Sequence, residues 1–286
     1  MNGAGVMQEA GEMAGQAAAV SHEVADISPF GMTAAYLLLI IPLAIILWKR
    51  IGLLRGAIVS VLRMSVQLLF VGLYLQVIFR LNNPWLNAGW VLLMIAVADI
   101  SIARGCDLRV GRIALPLFFA LLTGTAIPLA VFVGLIVRRP MLLDAQYVIP
   151  IGGMILGNCL RADIVGIRTF FDSIRKGEKA YANSLAQGAG QAEALEPYTR
   201  EATRAALAPT IATIATIGLV ALPGMMTGVI LGGAAPMTAI KYQIAIMIAI
   251  FCGTAATVYL ALRFAANTTF NDYGLLDHGI FKGRDE

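Results

Sequence analysis

The stretch LPGMMTG, residues 222–228, lies inside an apolar run of 207–233 that is long enough to cross a bilayer. Pro223 and Gly224 can break a helix at this point, and Gly228 allows a neighbouring helix to approach closely. Irregular backbone at membrane depth is tolerated only where protein or a water-filled cavity covers it. The stretch therefore predicts a broken helix inside a larger bundle of membrane-spanning helices.

The composition of the chain supports this interpretation. The 286 residues are 59% hydrophobic and 13% charged, with a mean hydropathy of +0.79, whereas soluble domains carry about 25% charged residues. We therefore predict an all-α polytopic membrane protein. The pI near 9.1 is explained by basic cytoplasmic loops, so we expect no nucleic-acid partner. Three unpaired cysteines predict neither a disulfide framework nor a metal finger.

About seven segments satisfy the length requirement of a spanning helix, which is ~20 mostly apolar residues. They cover roughly 30–48, 56–79, 85–103, 113–137, 147–168, 207–233 and 240–265. The fifth segment is the weakest, because Asn158, Arg161 and Asp163 interrupt it. Six spans with a re-entrant fifth segment are the alternative.

The basic residues choose the orientation of these spans. With the N-terminus outside, the inner segments hold fifteen Lys and Arg residues and the outer segments hold four, Arg80, Arg138, Arg139 and Lys241. We therefore predict an N-out, C-in topology. The layout is a flexible extracytoplasmic tail over 1–28, a single transmembrane domain over 29–268 and a cytoplasmic tail over 269–286.

One cytoplasmic loop, about 171–206, is much longer than the others and carries charges of both signs. Its first half is rich in helix formers and ends at Gly188 and Gly190, and we expect a second helix to start near Glu196 and Pro197. This helix, turn and helix could present a short helix to a cytoplasmic partner. The alternative is a solvated helical hairpin without a partner.

Several polar side chains fall inside the predicted spans. They are Arg63, Gln67, Asp99, Asn158 and Asp163. Embedded charges usually face the bundle interior and pair, so we expect Arg63 to pair with Asp99 or Asp163. These groups either contact a transported solute or hold helices together.

Flexible points occur in the fifth and sixth segments. Pro150, Gly152 and Gly153 predict a bend in the fifth or the close approach of a neighbouring helix, and Pro223 and Gly224 predict a break in the sixth. Met225 and Met226 follow the second break, and their thioethers serve either as adaptable packing or as soft metal ligands.

The sequence contains no GxSxG, HExxH or P-loop motif, and its two histidines, His22 and His278, lie near the termini. A membrane-embedded enzyme is therefore not expected. A chain that moves a solute against a gradient must then take its energy from a coupled ion or from a separate ATPase. An ion-coupled carrier using Asp99 and Asp163 is the alternative to an ATP-driven one, and the long cytoplasmic loop favours the ATPase.

Four blocks in order resemble the FetB-type permeases, which are membrane subunits of ABC transporters linked to iron export, with plant relatives tied to aluminium tolerance. The blocks are VIPIGGMILGN (148–158), RAALAPTI (204–211), GLVALPGMMTGVILGG (218–233) and AIKYQI (239–244). The resemblance covers about 35–265. It implies a bacterial inner-membrane permease that exports iron or another metal ion, or a metal-linked solute.

The resemblance also implies partners and a coupling site. The chain would hold no cofactor itself, a separate subunit would bind ATP and Mg²⁺, and two permease copies would form a homodimer. The segment SLAQGA (184–189) is similar to the family's cytoplasmic coupling turn. The implied coupling residues are Asn183, Ser184, Leu185, Gln187, Gly188 and Ala189. Asn183 and Gln187 depart from the acid and the leucine that the family pattern has there.

Overall fold

The computed structural model describes residues 26–271 and 274–281. The predicted N-terminal tail lies outside these residues except for its last three. The described chain forms ten α-helices: α1 Pro29–Leu37, α2 Ile40–Trp48, α3 Leu54–Leu81, α4 Pro84–Gly105, α5 Val110–Val131, α6 Ala145–Lys176, α7 Glu178–Ala186, α8 Gln191–Thr216, α9 Gly224–Leu231 and α10 Pro236–Thr268. A π-helical turn, Phe132–Ile136, extends α5, and a 3₁₀ turn, His278–Ile280, lies near the C-terminus.

Polar side chains define where several helices begin. The Ser28 hydroxyl accepts a hydrogen bond from Gly31 N at 3.2 Å at the start of α1. Asn83 accepts from Trp85 N at 3.0 Å before α4, and Asp144 accepts from Gln146 N at 3.3 Å before α6. Such side chains satisfy N–H groups that the first turn of a helix leaves without a partner.

Six helical segments of the described residues are long and apolar enough to cross a membrane, judged by length and composition. They are Pro29–Trp48, Leu54–Leu81, Pro84–Gly105, Val110–Ile136, Ala145–Lys176 and Pro236–Thr268. The weakest predicted segment, the fifth, is among them. It forms the continuous 32-residue helix α6, about 48 Å long at ~1.5 Å per residue, and this length is typical of a span with a cytoplasmic extension.

The predicted sixth span, 207–233, is the segment that the structure divides. Helix α8 ends at Thr216 and α9 begins at Gly224. Between them Gly218 adopts φ +87° and donates from its N–H to Ala221 O at 2.9 Å. A positive φ is accessible to glycine at little cost, so Gly218 turns the chain where a smooth helix would continue. The sequence predicts the break at Pro223 and Gly224. In the structure the break covers residues 217–223, directly before α9.

The structured residues cluster into two compact units. The described residues of the first lie within Met1–Val77 and Pro223–Ile240, and those of the second within Ile78–Leu222 and Lys241–Glu286. In the first unit the Tyr36 hydroxyl and Ser65 Oγ lie 2.7 Å apart and join the first two spans. The second unit holds an apolar core of fully buried side chains, among them Ile102, Ile155 and Phe170.

The long loop of about 171–206 forms the predicted helix, turn and helix. Its second helix starts at Gln191, earlier than the predicted start near Glu196 and Pro197, so Pro197 lies inside α8. Proline removes one backbone donor from a helix. That loss is tolerated here because Glu196 and Pro197 are exposed to solvent, and water can replace the missing partner.

Candidate functional site

The turn after α7 carries the predicted coupling residues, and its geometry explains the glycine. Gly188 N donates to Leu185 O at 3.0 Å and Ala189 N donates to Ser184 O at 3.1 Å, with Gly188 at φ +95°. This pair of hydrogen bonds is the Schellman motif that ends many helices. Asn183, Gln187 and Gly188 are exposed. The end of α7 is therefore a rigid tip that faces solvent.

The opposite side of α7 is anchored to the rest of its unit. The Tyr198 hydroxyl of α8 donates to Gly177 O at 3.1 Å, at the junction between α6 and α7. A Cβ added to Gly177 would lie 2.7 Å from that hydroxyl oxygen, so a larger residue there would displace the Tyr198 side chain. Tyr181 is 2% exposed, and its burial raises the pKa of the phenol above the ordinary value of 10. Its hydroxyl therefore stays a hydrogen-bond donor throughout the physiological range.

A buried polar cluster lies deeper, where α5, α6 and α10 meet. It comprises Thr125 of α5, Cys159 and Asp163 of α6, and Thr254 and Thr257 of α10, each at most 1% exposed. The Thr254 and Thr257 hydroxyls face the Cys159 thiol, and Thr257 also faces Asp163. Both Asp163 carboxylate oxygens nevertheless lack a hydrogen-bond partner of acceptable geometry, as do the hydroxyls of Thr125 and Thr254.

Two glycines bring these helices together. A Cβ added to Gly253 of α10 would lie 2.7 Å from Gly124 O of α5 and 2.8 Å from Ile155 Cγ2 of α6. A Cβ added to Gly124 would lie 2.3 Å from Thr257 Cγ2. Real Cβ atoms do not approach so closely, so this three-helix contact depends on glycine at both positions. It also holds the polar cluster closed to solvent.

The other polar residues predicted inside the spans have different surroundings. Asp99 of α4 is 4% exposed and its Oδ1 has no hydrogen-bond partner. Asn158 of α6 donates to Met154 O one turn back, at 2.8 Å. Arg63 and Gln67 are exposed and belong to the first unit, whereas both aspartates belong to the second. The pairing of Arg63 with an aspartate stays a prediction.

The predicted flexible points differ in their surroundings. Pro150 lies inside the continuous α6, and a Cβ added to Gly153 would lie 3.2 Å from Met94 Cε, so this region is a packed helix. Pro223 precedes α9, and a Cβ added to Gly224 would meet no atom within 4 Å. Met225 and Met226 of α9 are half-buried. Of the two predicted flexible points, only the second coincides with an interruption of the helix, and the bend in the fifth segment stays a prediction.

A groove of about 940 Å³ lies between α8 and α10. Arg200, Arg204 and Arg263 line it together with apolar side chains such as Leu207 and Ile211. Arg200 forms an ion pair with Glu196, one turn back on α8, with 2.5 Å between Nη2 and Oε1. Among residues 26–271 and 274–281, no group of three His, Cys, Asp or Glu side chains could hold a metal ion.

Sequence reasoning did not identify Tyr181, Tyr198, Thr125, Thr254 and Thr257, nor the pair Gly124 and Gly253. Helical hydroxyl residues usually bond their own backbone, and a single glycine in an apolar helix has many uses. Tyr181 and Tyr198 could have been identified from the sequence, because aromatic rings in a charged loop such as 171–206 pack against apolar neighbours.

A family model described as "Uncharacterised protein family (UPF0014)" matches residues 29–270. The chain belongs to the UPF0014 family. This UPF0014 chain is 32% identical to the UPF0014 membrane protein slr1647 of Synechocystis over 205 residues. The aligned residues cover 72% of the chain and 79% of that protein. No solved structure matches it significantly.

Two further relatives of this UPF0014 chain have more informative names. The "Probable iron export permease protein FetB" of Escherichia coli is 33% identical over 229 residues, 78% of the chain and 84% of that protein. The "Protein ALUMINUM SENSITIVE 3" of Arabidopsis thaliana is 33% identical over 216 residues, 73% of the chain and 76% of that protein. The resemblance noted from the sequence blocks is thereby confirmed.

Proposed function

We propose that this chain is the membrane-spanning permease subunit of an ABC transporter that exports iron or another metal ion, or a metal-linked solute. The observation that carries the proposal is the exposed, Gly188-terminated tip of α7 in a chain similar to FetB over 78% of its length. Such a tip fits a groove on an ATP-binding subunit. ATP and Mg²⁺ belong to that subunit, and this chain supplies the path through the membrane.

The proposed assembly holds two copies of this chain and two ATP-binding subunits in a bacterial inner membrane. Closure of the ATPase pair on ATP pushes α7, and the motion passes through the Gly177 junction into α6. Support comes from the continuity of the path, because α7 follows α6 after one residue. Alternating access then uses the break between α8 and α9, with Pro223 and Gly224 beside it.

Asp163 is the proposed centre of the translocation path, and the other residues that the sequence assigns to this path line it as well. They are Arg63, Gln67, Asp99, Asn158, Met225 and Met226. A buried carboxylate without hydrogen-bond partners requires a proton or a cation to neutralise it. Carboxylate oxygens suit hard metal ions. The same observation supports the second candidate, an ion-coupled carrier that uses Asp163 and Asp99.

The deciding experiment is ATP-driven uptake of iron, manganese, zinc and copper into inside-out vesicles that contain this chain and its cognate ATP-binding subunit. Iron accumulation that stops when 182–189 is replaced by a flexible Gly/Ser sequence supports an ATPase-coupled exporter. Uptake that follows an imposed proton gradient without ATP favours the ion-coupled carrier. Stimulated ATP hydrolysis without movement of any of the four metals removes the metal-export assignment.

Asp163→Asn tests the pathway assignment in the same vesicles. The substitution keeps the size of the side chain but removes its negative charge, so we expect normal protein levels and strongly reduced transport. The matched control is Asp172→Asn, an exposed residue of the same helix, which should transport normally. Unchanged transport by Asp163→Asn would assign Asp163 to helix packing.

A further inference from the structure

The residues that follow the last span fold back as a short hairpin, here called the C-terminal strap (residues 269–271 and 274–281). Phe270 and Leu276 form an antiparallel bridge, and Asp277 N donates to Thr269 O at 2.8 Å. Gly274, at φ +75°, makes the turn. The family match ends at residue 270, so most of the strap lies outside it.

The strap attaches first to the turn between α4 and α5. Arg109 N donates to Ile280 O at 2.8 Å, and Leu108 pairs with Phe281 in an antiparallel bridge. Leu108 and Ile280 are fully buried, and Arg112 forms an ion pair with Asp277. The strap thus adds an extended segment to the cytoplasmic end of the bundle.

The strap also covers the cytoplasmic end of α6. The ring of Phe281 meets Phe171 edge to face, with centroids 5.3 Å apart. The Arg175 guanidinium lies 3.8 Å from the centroid of the same ring, which is within the range of a cation–π contact. Phe281 is therefore held by an aromatic residue and a cation of α6 at once.

The third attachment is to α7. The Tyr181 hydroxyl donates to Gly274 O at 2.6 Å, and this hydrogen bond is buried. The Tyr181 ring packs against Phe270 at 5.8 Å between centroids. Leu185 Cδ1 would lie 3.3 Å from a Cβ added to Gly274. One face of the coupling helix thus rests on the strap, whereas its tip at Asn183 and Gln187 is exposed.

We propose that the C-terminal strap is a positioning element that fixes the coupling helix α7 to the ends of α4, α5 and α6, with Tyr181 as the positioning residue. A nine-residue helix is too short to be stable alone in water, so its orientation depends on these contacts. A force on the tip then moves the spans, and the helix does not rotate in place. This second step rests on the proposed function.

The first test needs no ATPase. A nitroxide spin label is attached at Asn183→Cys, with Cys252 replaced by alanine because it is the exposed native cysteine. Deletion of 270–286, which removes Phe270 and Gly274, should convert the spectrum of the label from immobile to mobile, whereas deletion of 282–286 should leave it immobile. An immobile label after deletion of 270–286 overturns the proposal.

A point variant guards against misfolding of the truncated chain. Tyr181→Phe keeps the ring and removes the hydrogen bond to Gly274 O, so the mobile population should rise about five-fold, the effect of one net hydrogen bond. Tyr147→Phe is the control, because that hydroxyl accepts a hydrogen bond from Arg139 at the start of α6, the end opposite to α7. A Tyr181→Phe spectrum identical to the unmodified chain counts against the positioning role.

The second test asks for coupling. In vesicles with the cognate ATP-binding subunit, deletion of 270–286 should leave the amount of bound subunit within about two-fold and reduce transport per ATP hydrolysed at least ten-fold. Transport that equals that of the 282–286 deletion overturns the coupling role. Where the complete chain itself neither binds the subunit nor transports, the proposed ABC function fails, and the label at position 183 still decides whether the strap positions α7.

Discussion

Gly188 shows how a single residue determines where helix α7 ends. Its φ of +95° lies in the region where a Cβ meets the following carbonyl oxygen at a cost of about 1–2 kcal/mol. The two hydrogen bonds of the Schellman motif exist only in that conformation. The shape of the tip therefore depends on the absence of a side chain at this position.

We expect Gly188→Ala to loosen the tip. The backbone amides of 184–189 should exchange with deuterium faster by an amount equivalent to about 1–2 kcal/mol of local stability. Gly190→Ala is the matched control, since Gly190 has φ −65° and a Cβ there meets no atom within 4 Å. Equal exchange in the two variants would show that the tip does not need the left-handed conformation.

At this scale the sequence predicts well where a residue has a local role. Glycine after a run of helix formers is a helix terminator, and Gly188 was identified on that ground. Tyr181 was missed because its partner, Gly274, lies 93 residues away. No local pattern reports a hydrogen bond across such a separation.

At the scale of elements, the contact of α5, α6 and α10 is fixed by Gly124 and Gly253. Overpacking a tight contact costs about 1–3 kcal/mol, so Gly253→Ala should lower the midpoint of thermal unfolding in detergent. Gly157→Ala on α6 is the control, because its Cβ meets no atom within 4 Å. If Gly253→Ala unfolds at the same temperature as Gly157→Ala, the three helices are less closely packed than the structure shows.

The break between α8 and α9 invites a comparison of two glycines. Gly218→Ala imposes a side chain at φ +87° and should destabilise the turn by about 1–2 kcal/mol, with reduced transport. Gly224→Ala, which meets no neighbouring atom, should transport normally. The reverse order of effects would place the hinge at the start of α9 rather than in the turn.

The elements differ in how far their sequences determine them. Hydropathy predicts six of the long apolar helices, five of them to within four residues at each end, because long apolar runs leave little choice. It treated 207–233 as one span, since apolar composition hides a turn made by Gly218 and Ala221. Asn158, Arg161 and Asp163 make α6 look interrupted in the sequence. The helix nevertheless continues through them, and the Asn158 and Arg161 side chains donate to carbonyl oxygens one turn back.

For the whole molecule, the charge asymmetry predicts which ends of the helices face the cytoplasm. A membrane-impermeant maleimide applied to spheroplasts should label Met141→Cys, on the outer loop before α6, and should label Gln187→Cys only after permeabilisation. Both variants carry alanine at Cys252. Labelling of Gln187→Cys in sealed spheroplasts would invert the topology and place the coupling tip outside.

The burial of Ile280 and the ring contacts of Phe281 affect the design of reporter fusions. Topology is commonly mapped by joining an enzyme or a fluorescent protein to a series of shortened chains. Here every chain cut before Phe281 also lacks part of the strap, so each such hybrid loses contacts at the ends of α4, α5 and α6. Faithful tags on this protein belong after residue 281 or in an outer loop, and hybrids shortened further describe an altered cytoplasmic face.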